Sequence, residues 1–437
     1  MKFKYKIIHC DYISPLSQKS CSVGKGGALV LVKKGEDYVI EQYLKSSALK
    51  RFKESNQSKF QECDYGQSVA VPGFYDMHFH WVQDDVRNMP KDSLLTWLSE
   101  YTWPTEAKYK SQSYCEKKAI HFAQELKDAG TIGGGCYSSL HPHSVDHAFK
   151  HFVGDFVIGH VLMDMNSPKY LTHKTSEAKK MISAYIKKYR QSYAVTPRFA
   201  PTTHPELMRF ASALSRKYRS FIQTHLAETP QEIEYVLEIY RRLKGFEDVA
   251  NYTEIYHRCG ILGPRTIMGH GIYLSPKEWK LLAKTNTAIA HCPTSNAPVK
   301  ELGLGSGLFD YQRANKEGVR WALASDIGGG PYLSMLDVMN SFLSQHTRAS
   351  KKVSAVDALY RSTLAGAEIL KCDKVSGSLE KGKQGSFVLF KQFSKSTSAE
   401  IQIRDLLDSV KGRRDKYQRL SLATYHQGDL ISSKTGQ

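Results

Sequence analysis

Histidines at alternate positions are the first feature of this sequence that could do chemistry. His78 and His80 follow an apolar, strand-like run at residues 68–74, and alternate residues of an extended segment point to the same side. Two imidazoles placed in this way can share one metal ion. A lone HxH pair in a chain with 17 histidines is more often incidental than metal-binding. The interpretation therefore depends on whether further ligand types occur elsewhere in the chain.

The elements that must position these residues are strands, because the sequence alternates strand-like apolar runs with helical patterns. Helical stretches with apolar residues three and four positions apart lie at residues 230–242 and 276–284. Repeated strand–helix units of this kind favour a barrel of eight parallel strands surrounded by helices. The candidate strands are residues 68–74, 130–137, 156–163, 194–199, 221–226, 266–270, 287–291 and 319–324.

The two ends of the chain have a different pattern. Short apolar runs punctuated by glycines fill the first 70 residues or so, and a strand–turn–strand pattern occurs near the C-terminus. We therefore predict an α/β protein in which a (β/α)8, TIM-like barrel is combined with a small β-sandwich domain built from both chain ends. The predicted domains are residues 71–374 for the barrel and residues 1–70 with 375–437 for the composite β-rich domain.

Further ligand types recur where the later candidate strands end. His225 and His270 close the fifth and sixth strands, and Asp326 follows the eighth. Active sites of such barrels form at the carboxyl ends of the strands, so these side chains are expected to meet the HxH pair. Imidazole nitrogen and carboxylate oxygen suit zinc, and an open coordination position would hold water. Five suitable residues at four strand ends favour a metal site over unrelated side chains.

Composition excludes several other classes of protein. No run approaches the roughly 20 apolar residues of a membrane span, and the N-terminus lacks the apolar core of a signal peptide. Eight cysteines without a CxxC pair are typical of reduced thiols, so we expect a cytoplasmic protein with no membrane partner. The net charge of +18 could attract nucleic acid, but Lys and Arg are distributed among Asp and Glu throughout the chain. We therefore expect a solvated basic surface and no nucleic-acid partner.

The segment that contains the HxH pair resembles a known signature. PGFYDMHFH at residues 72–80 is similar to the first strand of the amidohydrolase superfamily, a group of metal-dependent barrels with ligands from strands one, five, six and eight. Members with two metals commonly carry a bridging lysine at the fourth strand, whereas TPRF at residues 196–199 contains none. The resemblance therefore implies one metal ion per chain, namely zinc.

Within that superfamily, the stretch from about Val69 to Phe390 is similar to the guanine deaminases. The motifs that carry this likeness are LLTWL (94–98), YTWPTE (101–106), MDMN (163–166), TPRF (196–199), QTHLAE (223–228), GHGIYLS (269–275), HCPTSN (291–296) and SDIGGG (325–330). The likeness implies hydrolysis of the exocyclic amine of guanine to xanthine and ammonia, in purine catabolism or salvage. It also implies a homodimer whose only other partners are the purine base and water.

The same resemblance implies a role for each site residue. The implied zinc ligands are His78, His80, His225 and Asp326. The implied catalytic groups are Glu228, His270 and Asp326. The implied substrate contacts are Gln83, Arg198, Phe199, His225, Glu228 and Asp326.

General chemistry supports the implied roles. Zinc lowers the pKa of bound water toward ~7, and a neighbouring carboxylate such as Glu228 can take the water proton and deliver it to a ring nitrogen. His270 would stabilise the attacking hydroxide and the tetrahedral centre at purine C2. In the implied pocket Arg198 faces the guanine carbonyl, Phe199 packs beside the ring, and Gln83 forms a hydrogen bond to the base.

Two alternatives stay open at this point. Trp81 stands where the family commonly has a smaller residue, so a related aminohydrolase acting on another amino-heterocycle, of the adenosine or cytosine type, is the first alternative. A catalytically inactive barrel that serves as a binding protein is the second. It requires a distortion of the site, because every ligand that the resemblance implies is in place.

Overall fold

The protein is described here by a computed structural model that covers residues 3–410 and 413–434. The chain divides into two compact units. One comprises Met1–Tyr75, Gln124–Gly133 and Tyr332–Gln437, and the other comprises Asp76–Ala123 and Gly134–Pro331.

The first sheet is built from both ends of the chain. Its strands are β1 (Tyr5–Ser17), β2 (Ser20–Gly24), β3 (Gly27–Lys34), β4 (Asp37–Lys45), β5 (Phe60–Pro72), β14 (Phe387–Lys391), β15 (Ser421–His426) and β16 (Asp429–Ser433). They are ordered β16-β15-β14-β5-β1-β3-β4, with β2 beside β1. The sheet is mixed, because β1 and β5 are parallel and the other pairs are antiparallel. Alternate apolar residues such as Leu29, Leu31, Phe387 and Leu389 bury one core between these strands.

The second sheet contains the strands that carry the site. These strands are β6 (Phe74–Phe79), β7 (Thr131–Ser138), β8 (Asp155–Leu162), β9 (Ala194–Pro197), β10 (Phe221–Leu226), β11 (Thr266–His270), β12 (Ala288–His291) and β13 (Arg320–Leu323). They follow one another in chain order, as expected of repeated right-handed strand–helix units. β7 is buried at every position, so the residues of this strand lack the alternation of apolar and polar types that marks a strand with one face in water.

Backbone and side-chain contacts connect the last strand to the first. The Asp326 amide donates to the His78 carbonyl at 2.8 Å, and the Ser325 amide donates to an Asp76 carboxylate oxygen at 2.9 Å. Burial raises the pKa of Asp76 to about 7. These contacts nearly close the barrel and bring His78 beside Asp326.

Helices connect the strands, and several of them begin at a side-chain cap. The helices are α1 (Ser46–Ser55), α2 (Leu94–Trp97), α3 (Trp103–Ala107), α4 (Gln112–Ala129), α5 (Pro142–His151), α6 (Thr175–Tyr189), α7 (Pro205–Tyr218), α8 (Pro230–Arg241), α9 (Tyr252–Arg258), α10 (Pro276–Lys284), α11 (Pro293–Asn296), α12 (Tyr311–Glu317), α13 (Met335–Arg348), α14 (Ala355–Arg361), α15 (Leu364–Leu370) and α16 (Ala399–Asp408). Single 3-10 or π turns occur at Trp81–Val86, Leu98–Thr102, Lys108–Lys110, Lys169–Leu171, Arg190–Ser192, Ala200–Thr202, Val299–Glu301 and Arg414–Arg419. Capping boxes at Thr229 and Ser275, each followed by proline at the first helical position, fix the starts of α8 and α10.

No helix in the described ranges combines the length and the apolar character that crossing a bilayer requires.

The predicted fold class is confirmed, with one correction to the strands. The first candidate strand, residues 68–74, is wrong: residues up to Pro72 end β5 of the other sheet, and the first barrel strand is β6. Burial does not distinguish the two segments, because the last five residues of β5 are buried like all of β6. His78 therefore lies within a strand and does not follow one.

The predicted domain boundaries at residues 70 and 375 stay a prediction. Residues 411–412 and 435–437 of the predicted composite domain lie outside the described residues.

Candidate active site

Four of the predicted site residues meet at the carboxyl ends of the barrel strands. His78 lies in β6, His80 follows it, His225 lies in β10, and Asp326 follows β13. One ligand atom from each lies within 4.8 Å of the others. Nε2 of His80 is 3.1 Å from Nε2 of His225, and Nε2 of His78 is 3.2 Å from Oδ1 of Asp326. The structure thus brings together all four residues that were predicted to hold a metal.

The donor set fits a divalent metal ion. Both ring nitrogens of His78 and Nδ1 of His80 are buried without a hydrogen-bond partner among the described residues. Unpaired buried polar atoms cost free energy, and a cation that takes the lone pair of one nitrogen from each ring removes part of that cost. Three imidazoles and a carboxylate are ligands that zinc prefers.

Burial sets the charge of these groups. It lowers the pKa of His78 despite the adjacent carboxylate. Burial, together with repulsion from a protonated His78, holds the pKa of His80 and the pKa of His225 well below the ordinary value for histidine. Burial alone would raise the pKa of Asp326, but contact with His78 and the charges of His78 and His270 hold it below its usual range. Neutral imidazoles and an ionised carboxylate are the forms that bind a cation.

Neighbouring groups orient the ligands. The Arg198 carbonyl lies 2.6 Å from Nδ1 of His225 and accepts a hydrogen bond from it, which leaves Nε2 facing His80. The Tyr137 ring packs against His78 and His80 at centroid distances of 4.4 and 4.5 Å. The imidazoles are therefore held in place by the protein itself.

His270 does not belong to the four-ligand group but lies against it. Its Nδ1 is 3.0 Å from the Asn296 side-chain oxygen, which orients Nε2 toward two carboxylates. That nitrogen is 3.5 Å from Oε2 of Glu228 and 3.8 Å from Oδ2 of Asp326. Although burial lowers the pKa of His270, the charges of Glu228 and Asp326 reverse this and raise it.

Glu228 is held at the entrance to α8. Its amide donates to the Glu232 carboxylate at 2.8 Å, and Glu232 also completes the capping box of Thr229. The Ser306 hydroxyl donates to Oε1 of Glu228 at 2.7 Å, so Oε2 is the oxygen that remains available. Burial raises the pKa of Glu228, which brings this carboxyl closer to the range useful for proton transfer.

Gln83 and Arg198 are joined by a residue to which the sequence analysis gave no role. Glu106, in α3, has no exposed surface. One of its oxygens accepts from Nε2 of Gln83 at 2.8 Å, and both accept from Nη1 of Arg198, at 2.8 and 2.6 Å. A buried arginine requires a charged partner, and that requirement was the available signal for Glu106, which belongs to the motif YTWPTE.

One pocket contains the predicted chemistry. Its lining residues are His80, Gln83, Leu94, Trp97, Leu98, Arg198, Phe199, His225, Glu228, Glu232, His270, Leu304 and Asp326. Apolar side chains form one wall, where Phe199 packs in a buried cluster with Trp97, Leu98 and Leu304. An apolar wall with a few convergent polar groups is typical of a small-molecule site.

The backbone is strained at the same strand ends. Ala227, His270 and Asp326 have φ values of +49°, +68° and +48°, a left-handed conformation that is uncommon for residues other than glycine. Such outliers cluster at functional sites, where the surrounding structure holds them. They support the assignment of this edge as the active site.

A parallel barrel with three histidines and an aspartate at its strand ends, beside a buried glutamate, is typical of hydrolases that use a bound metal ion. The family model described as "Amidohydrolase family" matches residues 69–413. The chain belongs to the amidohydrolase family.

Relatives of known activity are similar over most of the chain. It is 36% identical to the guanine deaminase of Escherichia coli K12 over 334 residues, which is 75% of this chain and 74% of that protein. The solved E. coli guanine deaminase superposes with a TM-score of 0.86 at 28% identity and covers 99% of this chain and 100% of that one. A guanine deaminase from C. acetobutylicum with guanine bound in its active site gives 0.81 at 27% identity and covers 98% of this chain and 100% of that one.

The comparisons and the geometry leave the individual residue roles as predictions. All the residues predicted for the site lie in or directly beside the pocket, whereas Glu106, Ser306 and Asn296 were missed. The three missed residues lie far along the chain from the groups that they contact.

Proposed function

We propose that this protein is a guanine deaminase, which hydrolyses the exocyclic C–N bond of guanine to give xanthine and ammonia. The observation that carries the proposal is the pair Gln83 and Arg198, which the buried Glu106 holds in the pocket that Glu228 and three of the four predicted metal ligands also line. The similarity to guanine deaminases supports it.

Glu106 determines what the pocket offers to a base. A carboxylate only accepts hydrogen bonds, so Gln83 turns its amide NH2 to Glu106 and its carbonyl oxygen is left for a ligand. Arg198 presents N–H donors beside it. An acceptor next to a donor matches the N1–H and C6=O of guanine. Adenine has the reverse pattern at that edge, and its binding would leave buried groups unpaired.

The remaining groups then surround purine C2. With N1 and O6 of guanine held by Gln83 and Arg198, C2 and N3 face the side of the pocket that contains the predicted ligands. His78, His80, His225 and Asp326 would hold one zinc ion. When bound, zinc acts as a Lewis acid that makes hydroxide available near neutral pH.

Glu228 carries the protons in this scheme. Oε2 of Glu228 takes a proton from the attacking water and delivers it to N3, while Ser306 holds the other oxygen. His270, held by Asn296, donates a hydrogen bond that stabilises the tetrahedral centre at C2. Asp326 assists transfer of the remaining hydroxyl proton from the C2 oxygen to the leaving amine. The C2–N bond then breaks, the C2 oxygen becomes the carbonyl of xanthine, and ammonia departs.

Broader properties follow from the resemblance to this family. We infer action in purine catabolism or salvage, a cytoplasmic location and a homodimer. Sedimentation of the purified protein checks the dimer, since a monomer at micromolar concentration would contradict it.

A substrate panel tests the proposal. Guanine incubated with the zinc-loaded protein should lose its absorbance as xanthine and ammonia appear in equal amounts. Adenosine-type and cytosine-type amines should react far more slowly. Absence of guanine turnover with zinc bound, or faster turnover of another amine, would contradict the proposal.

A further inference from the structure

Two helices outside the pocket bring together three further side chains of the types that can bind a metal ion. His147 and His151 are four residues apart on α5, so they lie on one face of the helix, and Glu116 projects from α4. Nδ1 of His147 and Nε2 of His151 each lie 3.9 Å from the same oxygen of Glu116. One ligand atom from each of the three residues lies within 4.8 Å of the others.

His147 and His151 each direct an unpaired ring nitrogen at the Glu116 carboxylate. Nδ1 of His147 and Nε2 of His151 are buried and have no hydrogen-bond partner in the described part of the chain. The His147 side chain is only 9% exposed, and the two rings lie almost parallel, at 12°. A surface histidine ordinarily satisfies its nitrogens with water. These nitrogens are shielded from water and face a carboxylate that accepts no hydrogen bond from either of them.

We propose that Glu116, His147 and His151 form a second metal site, which binds a divalent transition-metal ion such as zinc. Zinc bonds of about 2.0–2.1 Å in a tetrahedron put ligand atoms about 3.4 Å apart. The two distances of 3.9 Å to Glu116 and the bound of 4.8 Å on the distance between the two imidazole nitrogens are longer, so the side chains must draw together around the ion. The two imidazoles disfavour calcium and magnesium, which take oxygen ligands. The Glu116 side chain is 39% exposed, so water can reach the site and complete the coordination.

Lys150 competes with the ion for the carboxylate. Its ammonium lies 2.7 Å from the Glu116 oxygen that the two histidines face. The Lys150 side chain is 61% exposed, so it can turn into solvent when an ion binds. The charge of Lys150 weakens the site, and its removal should strengthen metal binding. A purely structural histidine pair would show no such response.

The ion would join α4 to α5 and stabilise the folded state. A ligand that binds only the folded chain raises its stability with concentration, so zinc beyond the first equivalent should raise the melting temperature. Guanine turnover should not change, because none of the three residues lines the pocket.

The test is zinc binding to the full chain, measured by calorimetry after the first equivalent has been loaded and with metal content checked by mass spectrometry. The wild type should bind a second equivalent, and His151→Ala should weaken that step at least tenfold with unchanged guanine turnover. The control His257→Ala removes an exposed helical histidine elsewhere and should keep the second equivalent. Lys150→Gln should tighten binding of the second zinc equivalent severalfold. Equal second-site binding in the wild type and His151→Ala, or no tightening in Lys150→Gln, would overturn the proposal.

Discussion

The two sides of the pocket differ in how their buried polar groups are satisfied. On one side, ring nitrogens of His78 and His80 have no hydrogen-bond partner in the described structure. On the other side, Gln83 and Arg198 are both hydrogen-bonded to Glu106. The first side is incomplete without a cation. The second is complete in itself and fixes which atoms remain for a base.

The difference separates the chemistry from the recognition. Loss of a group on the side with the predicted metal ligands should remove turnover of every substrate. Loss of a group on the recognition side should change the choice of base and leave metal content intact. Mutations on each side can therefore break or sharpen this division.

The largest effect is expected from His78→Ala. Since His78 contributes ring nitrogens that have no other partner, we expect zinc content well below one per chain and guanine turnover at background. Metal analysis after gel filtration checks this. A variant that keeps zinc and turnover would show that His78 is not a ligand.

Glu228→Gln should separate proton transfer from metal binding. The amide keeps the shape of the side chain but cannot take a proton from water, so kcat should fall about 10²–10⁴-fold with zinc content unchanged. Steady-state kinetics together with metal analysis provide the measurement. Turnover near that of the wild type would reject the shuttle role.

Glu106→Gln should damage recognition. It leaves Arg198 as a buried cation without its charged partner and frees Gln83 to turn its amide. We expect kcat/KM for guanine to fall about 10–100-fold, as each bond to a charged group contributes about 1.5–3 kcal/mol. The loss should appear mainly in KM, and the preference for guanine over adenine should narrow.

The matched control for that variant is Glu100→Gln, which changes an exposed glutamate of the same segment and should leave both constants unchanged. Loss of zinc from Glu106→Gln would contradict the division between the two sides.

The smallest effect is expected from Ser306→Ala. The hydroxyl stabilises the ionised form of Glu228 and lowers its pKa, so its removal should raise that pKa further. Because the ionised form accepts the proton, the acidic limb of kcat/KM against pH should move to higher pH. At neutral pH the loss should be about tenfold or less. An unmoved limb would show that Ser306 does not tune Glu228.

The site residues that could be predicted from the sequence are those at the ends of barrel strands. His225, His270 and Asp326 could be predicted because apolar runs mark the barrel strands and ligands recur at their ends. The first strand was misplaced because β5 and β6 follow each other with only Gly73 between them, and the last five residues of β5 are buried like all of β6.

Residues that act through long-range contacts were beyond the sequence patterns. Glu106 contacts Arg198 across 92 positions, and Ser306 contacts Glu228 across 78. Neither has a periodic pattern or a ligand spacing, since each comes from a connection between strands. Only the folded arrangement, and the requirement that a buried charge has a partner, reveals them.

The most direct test of the central claim is guanine turnover by the zinc-loaded protein in water enriched in a heavy oxygen isotope. Hydrolysis at C2 predicts that xanthine takes up one labelled oxygen for each ammonia released, and that adenine gives far less labelled product. Unlabelled xanthine, or no product from guanine with zinc bound, would contradict the account.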